Sequence, residues 1–410
     1  MTGRTLLTDA LVVTCTGAKA FEGSVLVEGD SIVEVAEGRL PPGDATVVRC
    51  SGRTLLPGLI DAHVHIGAID VDIQQQHRRY LPSELALAMG KALVELRESG
   101  FTTVRDAGGA DAGFRRACET GLVPGPRLRV SGRPLTQTGG HGDLRQPPEG
   151  EGTSWSSPGT GLRSVVADGV DEVRRAAREQ LRRGADQIKV MAGGGVMSPA
   201  DKLGSDQYSA GELAAAVEEA AAAGTYVMAH AYTPSAVRRC VDAGARSIEH
   251  GNLIDESTAR LLAERKVFLV PTLVAYEALH EQGKRHGVPK ENLEKLSVVY
   301  DAGLESLKVA KAAGVRIGSG SDLLGPLRRR AGREVAIKAK VLGAMDALIA
   351  TTRTNAELMG LDHLIGTVEA GKLADLLVVD GSPLESPEVL GRPERVHVLM
   401  VAGKLVRQPA

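Results

Sequence analysis

Between residues 57 and 362 the sequence alternates short apolar segments with alanine-rich stretches of helical character. Eight of the apolar segments have the length of a strand: GLIDAHVHIG, FTTVRDAGG, PRLRVSGR, DQIKVMAGGG, TYVMAHAY, RSIEHGN, VFLVPTL and VRIGSGSD. Stretches such as SELALAMGKALVELRESG and SAGELAAAVEEAAAAG lie between them. Strands that alternate with helices are typical of parallel sheets, and eight such units over about 300 residues predict a (β/α)8 TIM barrel.

Glycine ends several of the predicted helices just before the next strand. These glycines are Gly100, Gly184, Gly224, Gly244 and Gly314. A left-handed residue at this place is common where a helix turns into a strand, and glycine adopts that conformation without steric cost. The turn chemistry therefore supports the strand assignments.

The two ends of the chain have a different pattern. Residues 1–56 carry short β-branched segments separated by glycine, aspartate and proline, and the pattern returns in GTVEAGKLADLLVVDG and RVHVLMVAGKLVRQ. Each piece is too small to bury both faces of a sheet alone. We expect antiparallel strands at the N-terminus and a composite β-sandwich domain of residues 1–56 plus 363–410, beside a barrel domain of residues 57–362.

Composition limits the class of partner. The 49 basic and 51 acidic residues leave a formal net charge of −2, which predicts no binding to nucleic acid or to an anionic membrane. No apolar run approaches the length needed to span a bilayer. The four cysteines are far apart in sequence, which disfavours a disulfide framework and a thiolate zinc site. We expect a cytoplasmic protein with a small-molecule partner, and homo-oligomerisation as the default for such a chain.

Polar residues occur where the predicted strands end. Because alternate residues of a strand point to one side, the two histidines of LIDAHVHIG project together. The residues at strand ends or within strands are His63, His65, Lys189, His230, His250 and Asp322. Taken singly, each histidine could be a packed ring and the aspartate a helix cap. Together they predict a metal site at the mouth of the barrel, where the carboxyl ends of the strands converge.

Lys189 fits that site only in a modified form. A lysine amid QIKVMA would be buried at a cost, and its ammonium group has no lone pair to offer a metal. Addition of carbon dioxide to the amine would create a carbamate that can bridge two cations.

These motifs resemble the amidohydrolase superfamily, in its two-metal branch with a carboxylated lysine. The resemblance rests on PGLIDAHVHIG, IKVMAGGG, MAHAY, SIEHGN, GSGSD and IGTVEAGKLADLLVVDGSPL, in that order. It implies that His63, His65 and Asp322 hold one divalent metal ion, which we expect to be Zn²⁺. It implies that His230 and His250 hold the other, and that N6-carboxylated Lys189 bridges both. In this scheme a metal-bridging hydroxide attacks the substrate, and Asp322 is the general base and then the general acid.

Within the superfamily, TGGHGD and HAY resemble imidazolonepropionase-like proteins, Xaa-Pro dipeptidases and ochratoxinase-like amidases. This resemblance implies that His141 and Tyr232 lie near the scissile carbonyl as further catalytic residues. For Tyr232 the alternative is a ring packed at the barrel rim. His141 lies in a long Gly, Pro and Ser-rich segment, residues 138–163, which we expect to shape the pocket together with Trp155.

The predicted activity is metal-dependent hydrolysis of an amide C–N bond in a dipeptide such as Xaa-Pro or in an N-acyl amino acid. The alternatives are a cyclic amide, a carbamate or an aryl amide, a mononuclear site, and a non-catalytic scaffold that has kept the barrel. The arginines of LLGPLRRRAGREV are expected to form a solvated helix face, with at most one in contact with a substrate carboxylate.

Overall fold

A computed structural model gives the fold, and it describes residues 3–146, 148–150, 159–198 and 201–408. The chain divides into two compact units. The first comprises Met1–Asp61, Glu95–Thr103 and Arg329–Ala410, and the second Ala62–Val94 and Val104–Arg328. The domain boundaries expected from the sequence stay a prediction. Trp155 lies outside the described residues.

In chain order, the strands are β1 (Arg4–Val12), β2 (Phe21–Glu28), β3 (Ser31–Glu37), β4 (Thr46–Arg49), β5 (Arg53–Pro57), β6 (Leu59–Val64), β7 (Phe101–Asp106), β8 (Arg127–Val130), β9 (Leu135–Thr136), β10 (Val165–Val166), β11 (Ile188–Met191), β12 (Val227–Ala231), β13 (Ser247–His250), β14 (Phe268–Val270), β15 (Arg316–Ile317), β16 (Leu376–Asp380), β17 (Val396–Val401) and β18 (Lys404–Arg407).

The α-helices are α1 (Gln76–Arg79), α2 (Pro82–Glu98), α3 (Ala112–Glu119), α4 (Val170–Arg182), α5 (Ala210–Ala222), α6 (Pro234–Ala243), α7 (Glu256–Glu264), α8 (Leu273–Gln282), α9 (Lys290–Ala312), α10 (Arg333–Leu342), α11 (Ala344–Thr351) and α12 (Arg353–Met359). Short 3-10 turns occupy Gly283–His286, Gly325–Arg330, Pro387–Gly391 and Pro393–Arg395. Among the described helices, none combines the length and the hydropathy that a membrane crossing requires.

The first unit contains a sheet built from both ends of the chain. Its strand order is β18-β17-β16-β5-β1-β2-β3, with β4 beside β1. The two ends join where β5 pairs antiparallel with β16, with Leu55 opposite Val378. Side chains from both ends, among them Val25 and Met400, form one buried apolar cluster. Neither terminal piece could bury this cluster alone.

The expectation of an antiparallel N-terminal sheet is wrong in one respect. Strand β1 pairs antiparallel with β2 but parallel with β4 and β5. The reason is a crossover: after β3 the chain returns through residues 38–45 to the start of β1, so β4 runs in the same direction as β1.

The eight predicted barrel strands all form, as β6, β7, β8 and β11 to β15. They lie in two sheets, β6-β7-β8 and the parallel β10-β9-β11-β12-β13-β14-β15. Backbone hydrogen bonds close the ring, from Ala62 N to Ser319 O at 2.8 Å and from Asp186 N to Val130 O at 2.7 Å. Helices α4 to α7 pack on the outside through small residues such as Ala177 and Ala216.

The turns before the strands have the predicted chemistry. The five glycines that end helices there all have positive φ, between 71° and 99°. These turns lead into the amino ends of the strands, so the carboxyl ends lie at the opposite mouth of the barrel, where the candidate site lies.

Candidate functional site

Four histidine side chains meet at the carboxyl ends of the barrel strands. His63 belongs to β6 with His65 just beyond it, His230 belongs to β12, and His250 ends β13. The ring centroid of His63 lies 5.2 Å from that of His65 and 5.0 Å from that of His250. The His230 and His250 centroids are 4.7 Å apart. All four rings are buried, so the structure brings the predicted histidines into one cluster.

Asp322 completes this cluster from the segment after β15. Its Oδ1 atom lies 3.3 Å from His65 Nε2 and 3.6 Å from His63 Nε2, and its Oδ2 atom lies 3.9 Å from His250 Nδ1. Ligand atoms of His63, His250 and Asp322 all lie within 4.8 Å of one another, so this group could hold a metal ion.

The backbone is strained at two of these positions. Asp322 has φ 52° and His250 has φ 74°, both in the left-handed region that non-glycine residues rarely adopt. The amide of Asp322 donates a 2.8 Å hydrogen bond to the carbonyl of His63. Strain of this kind persists only where surrounding contacts impose it, and it concentrates at functional sites.

Two of the rings are held in place by hydrogen bonds from Nδ1. His63 Nδ1 is 2.7 Å from the Glu249 carboxylate, and His65 Nδ1 donates to the Gly108 carbonyl at 3.0 Å. Neither acceptor carries a hydrogen, so Nδ1 is protonated in both rings. The Nε2 atoms, which face Asp322, therefore present a lone pair.

The other two rings are held in different ways. His230 donates from Nε2 to the Gly194 carbonyl at 3.1 Å, which leaves Nδ1 as its lone-pair atom. His250 Nδ1 lies 2.8 Å from Thr272 Oγ1. Metal-binding histidines commonly use one ring nitrogen in this way to fix the orientation of the other.

Burial keeps the four rings neutral. It lowers the pKa of His65 to about 4 and lowers the pKa of His63, His230 and His250 well below the usual value. Nearby Lys189 and the neighbouring histidines act in the same direction. Neutral imidazole is the form that binds a metal, so the donor set suits a divalent cation.

Lys189 lies in β11 and lines the same cavity. Its side chain is 1% exposed, and burial lowers the pKa of its amine to about 8. The Glu249 and Asp322 carboxylates oppose that shift. Near neutral pH a larger fraction of this amine is therefore uncharged than in an exposed lysine, and the uncharged amine is the form that can react with carbon dioxide.

Tyr232 lies beside the histidines, with its ring centroid 4.9 Å from that of His230. Its ring is 3% exposed and lines the cavity. Tyr276 of α8 donates a 3.1 Å hydrogen bond to the Tyr232 hydroxyl. Thr272 in turn donates to Tyr276 across 3.5 Å. Burial raises the pKa of both tyrosines, so both hydroxyls stay protonated at neutral pH.

His141 stacks on His230, with ring centroids 4.2 Å apart and an interplanar angle of 17°. Its Nδ1 atom is 3.7 Å from Asp201 Oδ2, and its backbone amide donates to Gln207 at 2.8 Å. Gly195 lies against the ring: a Cβ atom there would be 2.1 Å from His141 Cε1. The position of His141 therefore depends on the absence of a side chain at residue 195.

Sequence reasoning missed several polar residues around the site. Arg105 and Glu249 are fully buried and ion-paired at 2.8 Å. Tyr276 and Lys295 were also missed, the latter donating to Asp201 O and Ser198 O. A usable signal existed for two of them, because Arg105 and Glu249 are charged residues inside apolar strand segments, as Lys189 is.

The cavity above the histidines has mainly apolar walls. Its apolar lining includes Ile73, Leu144, Leu162, Val196, Met197, Leu279 and Leu324. His141, Gly142, Leu144 and Leu162 come from the described part of residues 138–163, which therefore shapes the pocket as predicted.

The arginines of LLGPLRRRAGREV contact groups outside the cavity. Arg328 is buried and donates to the Ala68 carbonyl at 2.7 Å, and Arg329 pairs with Glu95 at 3.2 Å. Among its described lining residues the cavity includes no arginine.

Most of the chain matches a known protein family. The model of the amidohydrolase family matches residues 54–406. The chain belongs to the amidohydrolase family. An ochratoxinase from Aspergillus niger is 34% identical over 369 residues, which cover 87% of this chain and 76% of the relative.

Two solved structures extend the comparison to the fold of this amidohydrolase. A prolidase complexed with N-methylphosphonate-L-proline is 41% identical with a TM-score of 0.95, over 99% of this chain and 100% of that chain. A Xaa-Pro dipeptidase with bound methionine is 27% identical with a TM-score of 0.89, over 99% and 100%. The comparisons confirm the predicted TIM barrel with a β-sandwich, the predicted subgroup, and a hydrolase acting on C–N bonds.

Proposed function

We propose that this amidohydrolase cleaves the amide bond of a dipeptide such as Xaa-Pro or of an N-acyl amino acid. The observation that carries the proposal is the cluster of four buried histidines around Asp322, each with one ring nitrogen held by the protein. Histidines packed independently in a non-catalytic scaffold would not be expected to gather in this way. Here three of the rings lie within 4 Å of the Asp322 carboxylate, and the fourth, that of His230, packs against His250.

The donor set supports a proposal of two divalent metal ions. His63, His65 and Asp322 would hold one ion, His230 and His250 the other, and N6-carboxylated Lys189 would bridge them. Nitrogen and oxygen donors of this kind suit Zn²⁺. When bound, the ions would polarise the substrate carbonyl and supply a nucleophilic hydroxide near neutral pH.

The protein's own side chains would carry the proton and stabilise the carbonyl oxygen. Asp322 accepts the proton of the attacking water on a carboxylate oxygen and later donates it to the leaving amine. The Tyr232 hydroxyl donates to the substrate oxygen as negative charge develops there. His141, stacked on His230, lines the same space and would contact the group next to the scissile bond.

The cavity walls favour an apolar substituent on the substrate. Lys189 is the one arginine or lysine among the described lining residues, and the undescribed residues include no arginine, lysine or histidine. A dipeptide carboxylate would therefore lack an arginine clamp here. This supports hydrolysis of an aryl amide as a second candidate function, with a cyclic amide or a carbamate as further options.

Metal analysis followed by a substrate panel tests the proposal. We expect about two zinc ions per chain in protein purified without chelators. We expect turnover of Xaa-Pro dipeptides or N-acyl amino acids, and turnover confined to aryl or cyclic amides would select the second candidate. A protein that binds no metal and hydrolyses no amide would contradict both candidates and favour the scaffold interpretation.

Lys189→Ala tests the bridge, with Lys338→Met as the control at a second buried lysine. Both lysines are fully buried, and burial lowers the pKa of each to about 8. We expect Lys189→Ala to lose metal and to lower kcat by about 100-fold or more. Lys338→Met should retain both ions. Unchanged metal content in Lys189→Ala would contradict the bridging role.

A further inference from the structure

A chain of buried polar side chains joins His63 of β6 to Glu249 of β13 and, through it, to Arg105 of β7. Arg105 of β7 donates from Nη2 to Glu249 Oε1 at 2.8 Å. The other carboxylate oxygen, Glu249 Oε2, lies 2.7 Å from His63 Nδ1. All three side chains are at most 1% exposed. The link joins three strands, of which β6 and β7 are neighbours in one sheet and β13 belongs to the other.

The two carboxylate oxygens of Glu249 have different hydrogen-bond partners. Oε1 accepts from Arg105 and, at 2.6 Å, from the Ser247 hydroxyl. Oε2 faces the histidine. A carboxylate in this environment offers no hydrogen, so His63 must donate from Nδ1 and present its lone pair on Nε2.

Arg105 is itself fixed by further hydrogen bonds. Besides Glu249, it donates from Nε to the Ala62 carbonyl at 2.6 Å and from Nη1 to Ser247 Oγ at 3.1 Å. Placing such an ion pair in a barrel core costs desolvation that an apolar pair would avoid. Stability alone is therefore a weak reason for this arrangement, and its contact with His63 is a stronger one.

His63 differs from the other histidines of the cluster in its partner. His65 and His230 donate to neutral backbone carbonyls at 3.0 and 3.1 Å, and His250 bonds to a threonine hydroxyl. The hydrogen bond of His63 is shorter and goes to a carboxylate that a buried arginine orients. A carboxylate partner raises the basicity of a ligating imidazole and fixes its ring.

We propose that Glu249 and Arg105 are positioning residues for metal binding through His63. Glu249 selects the ring tautomer, and Arg105 holds Glu249 so that Oε2 alone faces the ring. The inference rests on the proposed function, because it concerns the same metal site, and it adds a determinant of metal affinity to that proposal.

Zinc affinity of the metal-free protein tests this inference without any substrate. Zinc dissociation constants are measured by competition with a chromophoric chelator for the wild type and for Glu249→Gln. We expect the variant to bind zinc about 10 to 100-fold more weakly. Glu334→Gln is the matched control, because Glu334 is also buried and paired with a lysine, at 3.7 Å from Lys338. It should leave both zinc affinities unchanged.

A purely structural role makes a different prediction. The thermal unfolding temperature of each metal-free variant is measured in chelator. If Glu249→Gln and Glu334→Gln lower it alike and neither changes zinc affinity, Glu249 is structural and the inference is wrong. A wild-type protein that binds no zinc would overturn the proposed function and this inference with it.

Arg105→Lys provides a second variant that keeps the charge but loses the guanidinium fork. We expect a smaller loss of zinc affinity than in Glu249→Gln. The double variant should bind zinc no more weakly than Glu249→Gln alone, because both residues act through one histidine. Additive losses in the double variant would contradict the proposed chain.

Discussion

The hydroxyl of Tyr276 donates a hydrogen bond to the hydroxyl of Tyr232, with 3.1 Å between the two oxygen atoms. Both rings are buried beside the histidines and line the cavity. Because Tyr232 receives this hydrogen bond, its own hydrogen is directed elsewhere, and the cavity is the space that a substrate would fill. Thr272 bonds in turn to Tyr276 and to His250. Tyr232 therefore belongs to the same chain of hydrogen bonds as one histidine of the cluster.

Removing the two tyrosine hydroxyls separately should lower turnover to different extents. We expect Tyr232→Phe to lower kcat by about 100 to 1,000-fold, because it removes a donor to the developing oxyanion. Tyr276→Phe should lower kcat by only about tenfold, because it removes one hydrogen bond that orients the donor. Steady-state kinetics on the best substrate of the panel measures both. Equal effects on kcat, or effects on KM alone, would argue against this order of roles.

Asp322→Asn should separate metal binding from turnover. The amide retains an oxygen that can bind a cation but cannot accept a proton near neutral pH, so we expect kcat to fall by about 100 to 10,000-fold. Elemental analysis should still find metal in the variant. Asp301→Asn, at an exposed position of α9, is the control and should have wild-type kinetics. Substantial residual activity in Asp322→Asn would assign the proton transfer to another group.

Local sequence patterns were sufficient to predict the barrel and the histidine cluster. Each strand has its own apolar run, five of the eight strands follow a turn glycine, and the carboxyl ends of barrel strands meet at one mouth. His250, for example, could be assigned from SIEHGN alone, because it ends β13.

The partners of those residues depend on contacts between distant segments. Arg105 and Glu249 are 144 positions apart, and Tyr232 and Tyr276 are 44 positions apart. Their pairing requires the relative register of several strands and the path of α8, and no local periodicity encodes either. The parallel pairing of β1 with β4 was missed for the same reason. A crossover of eight residues is long enough to bring β4 to either side of the strands that precede it.

Gly195→Ala should impair the site through His141. A Cβ atom at residue 195 would lie 2.1 to 2.5 Å from three atoms of the His141 ring, so the ring or the backbone at residue 195 must shift. Because a displacement of about 1 Å at a positioned group can cost about 100-fold, we expect a loss of that order in kcat/KM. Gly204→Ala is the matched control, since no atom lies within 4 Å of a Cβ there. Equal kinetics for the two variants would remove His141 from the catalytic proposal.

Lys338 should make stability depend on pH in the alkaline range. Burial lowers its pKa to about 8, below the 10.5 of an exposed lysine, with Glu334 opposing the shift. Between these two values the unfolded chain binds the proton and the folded chain does not, so the free energy of unfolding rises with pH. Below pH 8 both states are protonated and the cost of burying the charge is fully present. Integrated over the interval, the gain is about 3 kcal/mol.

Lys338→Met isolates this contribution, because the variant lacks the titrating group. Denaturant unfolding of metal-free protein at pH 7.5 and pH 10.5 would give the change in free energy for each chain. We expect the wild type to gain more stability than Lys338→Met over this interval, whatever their absolute stabilities. Parallel pH profiles would mean that Lys338 titrates at the same pH in the folded and unfolded chains, and that its ion pair with Glu334 offsets the effect of burial.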